Sequence, residues 1–155
     1  MKRLLLLLAC ACLCSCQVPL GQRSAAGGKA VVAGYVDSIL NADRWDTYDQ
    51  FFASKVDFNG KPAGKAELQR RVASFRAAYP DFRATIDEQI AEGDLVVTRL
   101  TCTGTHLGND IGVPATGRKV TFTGVAIDRI ENGKVVEMWF LGDVWSRMQQ
   151  IRSDL

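Results

Sequence analysis

Residues 119–144 read KVTFTGVAIDRIENGKVVEMWFLGDV. β-branched and aromatic residues dominate both halves of this stretch, and the halves meet at Asn132-Gly133, two residues that accept positive φ and favour the primed two-residue turn of a β-hairpin. Closing that turn pairs Glu131 with Lys134 and sets each earlier residue against a later one in strict step. Cross-strand partners share a face. One face then carries Phe122, Gly124, Ala126, Trp139, Leu141 and Asp143, and the other Val125, Ile127, Arg129, Val136, Met138 and Phe140. Both sets are largely apolar, whereas an antiparallel sheet covered on one side alternates apolar and polar residues. Each face is therefore expected to be covered. Small Gly124 and Ala126 opposite bulky Trp139 leave room for a cavity walled by Phe122, Trp139 and Leu141, with Asp143 projecting toward it. The second face suits another copy of the chain. A β-bulge in either strand would exchange part of the two sets.

Outward from the hairpin, residues 82–91 and 95–106 have the same strand-like composition, separated by Glu92-Gly93-Asp94, and a Gly/Pro-rich loop covers 108–117. The first half has a different period. Val31, Val32, Tyr35, Val36, Ile39 and Leu40 recur at helical spacing and predict a helix over about 29–41. Asp43 can cap a shorter helix through Phe52. A brief extended piece at 56–58 precedes the turn residues Asn59-Gly60. Leu68, Val72, Phe75 and Tyr79 then mark a third amphipathic helix, stopped by Pro80, with Arg70, Arg71 and Arg76 read as its solvated face. Helices followed by antiparallel strands imply an α+β domain, its three N-terminal helices packed on a curved, mainly antiparallel sheet.

The chain has 155 residues, 47% hydrophobic and 23% charged, enough for one domain with a real core. Net charge is +2, and without Lys2 and Arg3 the charges balance, so bulk charge gives no reason to expect a nucleic-acid partner. Those two residues open a short apolar run from Leu4 to Leu13, less than the ~20 residues of a membrane-spanning helix, which reads as an export signal. It closes on Leu13-Cys14-Ser15-Cys16, which resembles the bacterial lipobox. That resemblance implies acylation at Cys16 and a membrane anchor. Gln17 after the cysteine implies the periplasmic face of the outer membrane in a Gram-negative envelope. Residues 1–16 are thus expected to be a lipoprotein signal, 17–28 a tether and 29–155 the domain. Four of the five cysteines lie in the signal, leaving Cys102 without a disulfide partner in the domain.

Several stretches together resemble the SnoaL-like polyketide cyclases, often labelled ester cyclases, over roughly residues 30–155. They are Tyr79-Pro80-Asp81-Phe82-Arg83, Ala91-Glu92-Gly93-Asp94, Gly104-Thr105-His106, Pro114-Ala115-Thr116-Gly117-Arg118, Arg129 through Glu137, Trp139 with Asp143, and Gln149-Gln150-Ile151. The resemblance implies the cone-shaped barrel of the nuclear-transport-factor-2-like superfamily with a short C-terminal helix, a homodimer through the outer sheet face, and no cofactor. It also implies an acid/base aspartate and a pocket histidine, which map onto Asp143 and His106.

Such chemistry closes a ring by moving protons on a carbonyl or ester compound, and a carboxylate in an apolar cavity gains proton affinity by desolvation. Each candidate also has a plainer reading: Asp143 as the cap of a helix starting near Trp145, His106 as a loop-edge residue, Cys102 as a small buried hydrophobe. Glu137 falls opposite Asp128 in the in-step register, a carboxylate pair open to two readings, a second acid/base element or a pair that Arg129 and Lys134 neutralise, of which the second is favoured. A single histidine excludes a multi-histidine metal site. Two functions remain open: an acid/base enzyme on a small hydrophobic carbonyl or ester, and an envelope module that binds an apolar ligand without turning it over.

Overall fold

The computed structural model describes residues 20–152. Residues 1–16, expected to be a signal ending at Cys16, lie outside the described residues. Helix α1 (Leu20–Tyr35) continues into a π-helical turn (Val36–Asn41) and, after a 3-10 turn at Trp45–Thr47, into the single-turn α2 (Tyr48–Phe51). Next come β1 (Phe52–Phe58), β2 (Lys61–Ala63), α3 (Lys65–Ala78), β3 (Arg83–Glu92), β4 (Leu95–Thr105), β5 (Lys119–Glu131), β6 (Lys134–Gly142) and α4 (Val144–Ile151). One six-stranded sheet runs in the order β2-β1-β6-β5-β4-β3, antiparallel except between β1 and β6. The fold is α+β, with helices on a curved sheet and a short C-terminal helix.

Two local expectations change at the N-terminal side. α1 begins at Leu20 rather than near Lys29, so part of the segment read as a tether is helical. Gly28 belongs to it: a Cβ there would lie 2.9 Å from Val96 Cγ2, so only glycine lets α1 lie this close to β4. Asp43 caps no helix. Its φ is +55°, a conformation Asp tolerates better than most residues, and its carboxylate accepts the Trp45 indole N–H at 2.8 Å.

The β5–β6 hairpin closes on Asn132 and Gly133, whose φ values are 50° and 75°. Glu131 pairs with Lys134 and Ile130 with Val135, but Arg129 then pairs with Glu137 and Ala126 with Phe140. Val136 is the extra residue of a β-bulge. In a structure of period two, one inserted residue moves everything beyond it to the opposite face. The expected faces are corrected accordingly. Met138 and Phe140 point inward with Phe122, Gly124 and Ala126, while Trp139 and Leu141 point outward, 46% and 76% exposed. Electrostatics favour the shift. The in-step register would set Glu137 against Asp128; the bulge sets it against Arg129, whose Nε donates to it at 2.9 Å. Phe140 occupies the room left by Gly124, where a Cβ would lie 2.9 Å from its ring.

Candidate functional site

A cavity of about 240 Å³ lies between the inner sheet face and the helices. The sheet supplies Leu100, Phe122, Ala126, Met138 and Phe140, α3 supplies Leu68, Val72 and Phe75, and α1 with its π-helical extension supplies Tyr35 and Ile39. The helical periodicity of α3 and the inward alternation of β5 create these walls directly. The hydrogen-bonding side chains among the described lining residues are Tyr35, Trp45, Arg71 and Arg147. None of them is a carboxylate or an imidazole.

Arg147, near the start of α4, is 9% exposed. Its guanidinium lies 5.1 Å from the centroids of both Phe75 and Phe122, and its Nε approaches Asp110 Oδ2 at 2.8 Å. The two rings and the one carboxylate hold the planar cation at the cavity wall with Nη1 outside the Asp110 pair. Asp110 also accepts the Tyr79 hydroxyl at 2.7 Å. Arg71 stands over Phe58 at 5.1 Å and pairs with Glu67 at 2.8 Å. Arg71 is exposed, as expected of the solvated face, but Arg76 is part-buried: its Nη2 donates to the carbonyls of Leu40 and Asn41, tying α3 to the π-helical turn.

Beneath Ala126, one strand period further along β5, lies Asp128. It is fully buried, opposite Met138, and accepts the Tyr35 hydroxyl at 3.1 Å on Oδ2. Its Oδ1 has no hydrogen-bond partner among the described residues. Burial pushes the Asp128 carboxyl up to about 7, with the Tyr35 hydrogen bond opposing. Burial and the neighbouring carboxylate raise the Tyr35 hydroxyl well above its ordinary value, so the phenol keeps its proton.

The expected site residues fall into three groups. Phe122 lines the cavity. Trp139 and Leu141 lie on the outer face because of the bulge, and the Trp139 indole donates to Glu137 at 2.8 Å. Asp143 and His106 are claimed by local structure. Asp143 is exposed and caps α4, accepting the Ser146 N–H at 2.9 Å on Oδ1. His106 is fully buried at the end of β4. Its Nδ1 is 3.0 Å from Thr116 Oγ1, its ring centre is 5.4 Å from that of Tyr79, and its backbone anchors residues 116–118. Neither Asp143 nor His106 lines the cavity. Cys102 is buried in the core, with its thiol raised to about 11 by burial, which keeps it a protonated packing residue.

Sequence reasoning passed over Tyr35 and Arg147 as functional candidates and weighed Asp128 only as half of a carboxylate pair with Glu137. For Asp128 a signal existed: it continues the Phe122, Gly124, Ala126 series, an ionisable residue in mid-strand on the apolar face. Among the described residues no group of three or more His, Cys, Asp or Glu side chains is arranged to hold a metal ion.

Among the described residues, helices cover one face of a curved sheet around a small apolar cavity, the arrangement of a cone fold. The SnoaL-like polyketide cyclase family model matches residues 30–151, and the chain belongs to that family. Solved structures agree in fold. A protein from Acidithiobacillus ferrooxidans assigned as a polyketide cyclase is 23% identical with a TM-score of 0.73, covering 83% of this chain and 96% of its own. A SnoaL-like protein from Jannaschia is 21% identical with a TM-score of 0.74, covering 90% and 98%. IdmH from Streptomyces antibioticus, also assigned as a polyketide cyclase, is 26% identical with a TM-score of 0.72, covering 79% and 96%. No curated protein matches the chain.

Proposed function

We propose that this protein takes a small, largely apolar carbonyl or ester compound into the cone cavity and acts on it by cofactor-independent acid/base chemistry, of the aldol-cyclase or related lyase/isomerase kind. Family membership supports the reaction class. The observation that carries the substrate class is the cavity itself: apolar walls with hydrogen-bonding groups confined to Tyr35, Trp45, Arg71 and Arg147. A panel of esters, lactones and β-dicarbonyl compounds tests it, with turnover that Phe122→Ala or Arg147→Met reduces as the expected result. A panel without turnover contradicts it.

One observation favours a second reading, a binding protein without turnover: the described lining residues include no carboxylate or imidazole, and Asp143 and His106 make their side-chain contacts elsewhere. Saturable binding of apolar compounds that are recovered unchanged separates this reading from the first.

The outer sheet face supports a homodimer. Ile90, Val97, Ile127 and Trp139 are successive cross-strand partners on four strands, each at least 37% exposed, with Leu141 beside them. Such a row suits a second copy, and specific interfaces bury more than about 1,000 Å². Sedimentation of Trp139→Glu/Leu141→Arg should give monomers where the unmodified protein gives dimers; a protein already monomeric at tens of micromolar, on the order of weak association, contradicts the reading. The lipobox supports a lipid anchor at Cys16 on the periplasmic face of the outer membrane, tested by loss of fatty-acid labelling in Cys16→Ser.

A further inference from the structure

We propose that Tyr35 and Asp128 form, at the floor of the cavity, a subsite for a hydrogen-bond-accepting oxygen of the bound compound, a ketone or ester carbonyl, and that this oxygen is held only when Asp128 carries a proton. The subsite rests on the cavity reading above and names what the floor of that cavity recognises.

A tyrosine hydroxyl has one proton to donate. In the structure it is directed to Asp128 Oδ2 at 3.1 Å. With Asp128 ionised, that proton is committed, and a carbonyl oxygen reaching the floor meets only the lone pairs of Tyr35. With Asp128 protonated, the carboxylic O–H donates to the Tyr35 oxygen and the phenol proton turns to the ligand. The placement fits this relay. Tyr35 lines the cavity, while Asp128 lies one strand period beyond the lining residue Ala126 and opposite the lining residue Met138. Asp128 Oδ1, buried and unpartnered among the described residues, marks a carboxyl group whose surroundings do not satisfy its ionised form.

The surroundings leave few alternative proton partners. Tyr35 faces Asp128 from α1, Val96 stands across from it on β4 and Met138 on β6. The nearby charged residues, Asp94, Arg129 and Glu137, bond to one another at part-exposed or exposed positions. Asp57 on β1 pairs in register with Glu137, between the buried Val56 and the cavity-lining Phe58, and its Oδ1 is itself buried without a hydrogen-bond partner among the described residues. With the carboxyl midpoint raised to about 7 by burial, both forms are populated near neutrality. The sign follows: an acceptor ligand selects the protonated form and draws one proton from water, so its affinity is greatest below that midpoint and falls as pH rises through it. No covalent bond of the ligand changes in this step.

The test compares 1-tetralone with tetralin, which share a skeleton and differ by the carbonyl oxygen, using titration calorimetry on either side of the Asp128 midpoint. For the unmodified protein, 1-tetralone affinity should fall on the order of tenfold from acid to alkaline pH, the scale of one neutral hydrogen bond, while tetralin affinity stays flat. Asp128→Asn keeps an N–H donor facing Tyr35, so it should bind 1-tetralone at the acid-limit affinity at every pH. Tyr35→Phe should bind both compounds alike, without pH dependence. A merely structural role for Asp128 would not produce this pattern. Saturable binding of both compounds with flat pH profiles in the unmodified protein overturns the subsite and leaves the cavity reading intact. No saturable binding of either compound overturns both.

Discussion

His106 and Asp143 stand at one end of the sheet, Tyr35 and Asp128 toward the other, and the two ends use their polar atoms differently. Where β4 and β6 stop, cap and loop groups are at hand: the Asp143 carboxylate accepts from the first turn of α4, and His106 lies against the loop at 116–118, its backbone bonded to Thr116, Gly117 and Arg118 and its Nδ1 facing the Thr116 hydroxyl. In mid-strand the backbone groups are already used in the ladder. An inward carboxylate there finds only what another element brings, which for Asp128 is the Tyr35 hydroxyl. A residue type suited to acid/base work is therefore informative mainly where local backbone does not claim it.

Four substitutions can break or sharpen that contrast. Asp128→Asn should have the largest effect. The folded-state midpoint lies near 7 against an ordinary carboxyl value of 3.8, so the folded state keeps a proton that the unfolded chain releases. Stability therefore declines as pH rises from about 4 to about 7, by roughly 1.4 kcal/mol for each pH unit in that window. Removing the charge should make the variant more stable than the unmodified protein at pH 8 by a few kcal/mol, with the gap closing below pH 4; urea unfolding across pH measures it. His106→Ala should come next. It loses the Thr116 hydrogen bond and the Tyr79 ring contact inside the fold, costing about 2–3 kcal/mol, yet cavity affinity for tetralin should be unchanged by calorimetry.

Asp143→Ala should cost about 1 kcal/mol, the usual value of a lost N-cap, with no effect on binding or its pH profile. A tenfold loss of 1-tetralone affinity in this variant would instead put Asp143 in contact with the bound compound. Leu141→Ser, on the open outer face, should shift monomer stability by less than about 0.5 kcal/mol in thermal melts at low protein concentration. A larger loss would mean that Leu141 faces inward and that the hairpin has no bulge.

The parts of the fold legible in the sequence were those with local causes. Asn132-Gly133 defined a hairpin, the Leu68, Val72, Phe75 spacing defined α3, and Pro80 ended it. The bulge at Val136 was not legible, because both faces of β5–β6 are apolar and a one-residue slip exchanges one apolar set for another. The faint signal was electrostatic: in strict step Glu137 meets Asp128. That slip carried Trp139 and Leu141 out of the expected cavity and brought Met138 and Phe140 into it. The parallel pairing of β1 with β6 and the partner of Tyr35 were also hidden, since each joins segments remote in sequence; Tyr35 and Asp128 are 93 residues apart. Tyr35 read simply as one member of an apolar helix face, and its hydroxyl acquires meaning only once β5 is laid against it.

The most direct test of the contrast between the two ends is a carbon-13 NMR titration of the aspartate side-chain carboxyls, with the Asp128 signal identified by its absence in Asp128→Asn. A midpoint near 7 that climbs further when the protein is saturated with 1-tetralone is the expected result. A midpoint in the ordinary carboxylate range near 4, unmoved by the ketone, would contradict the account.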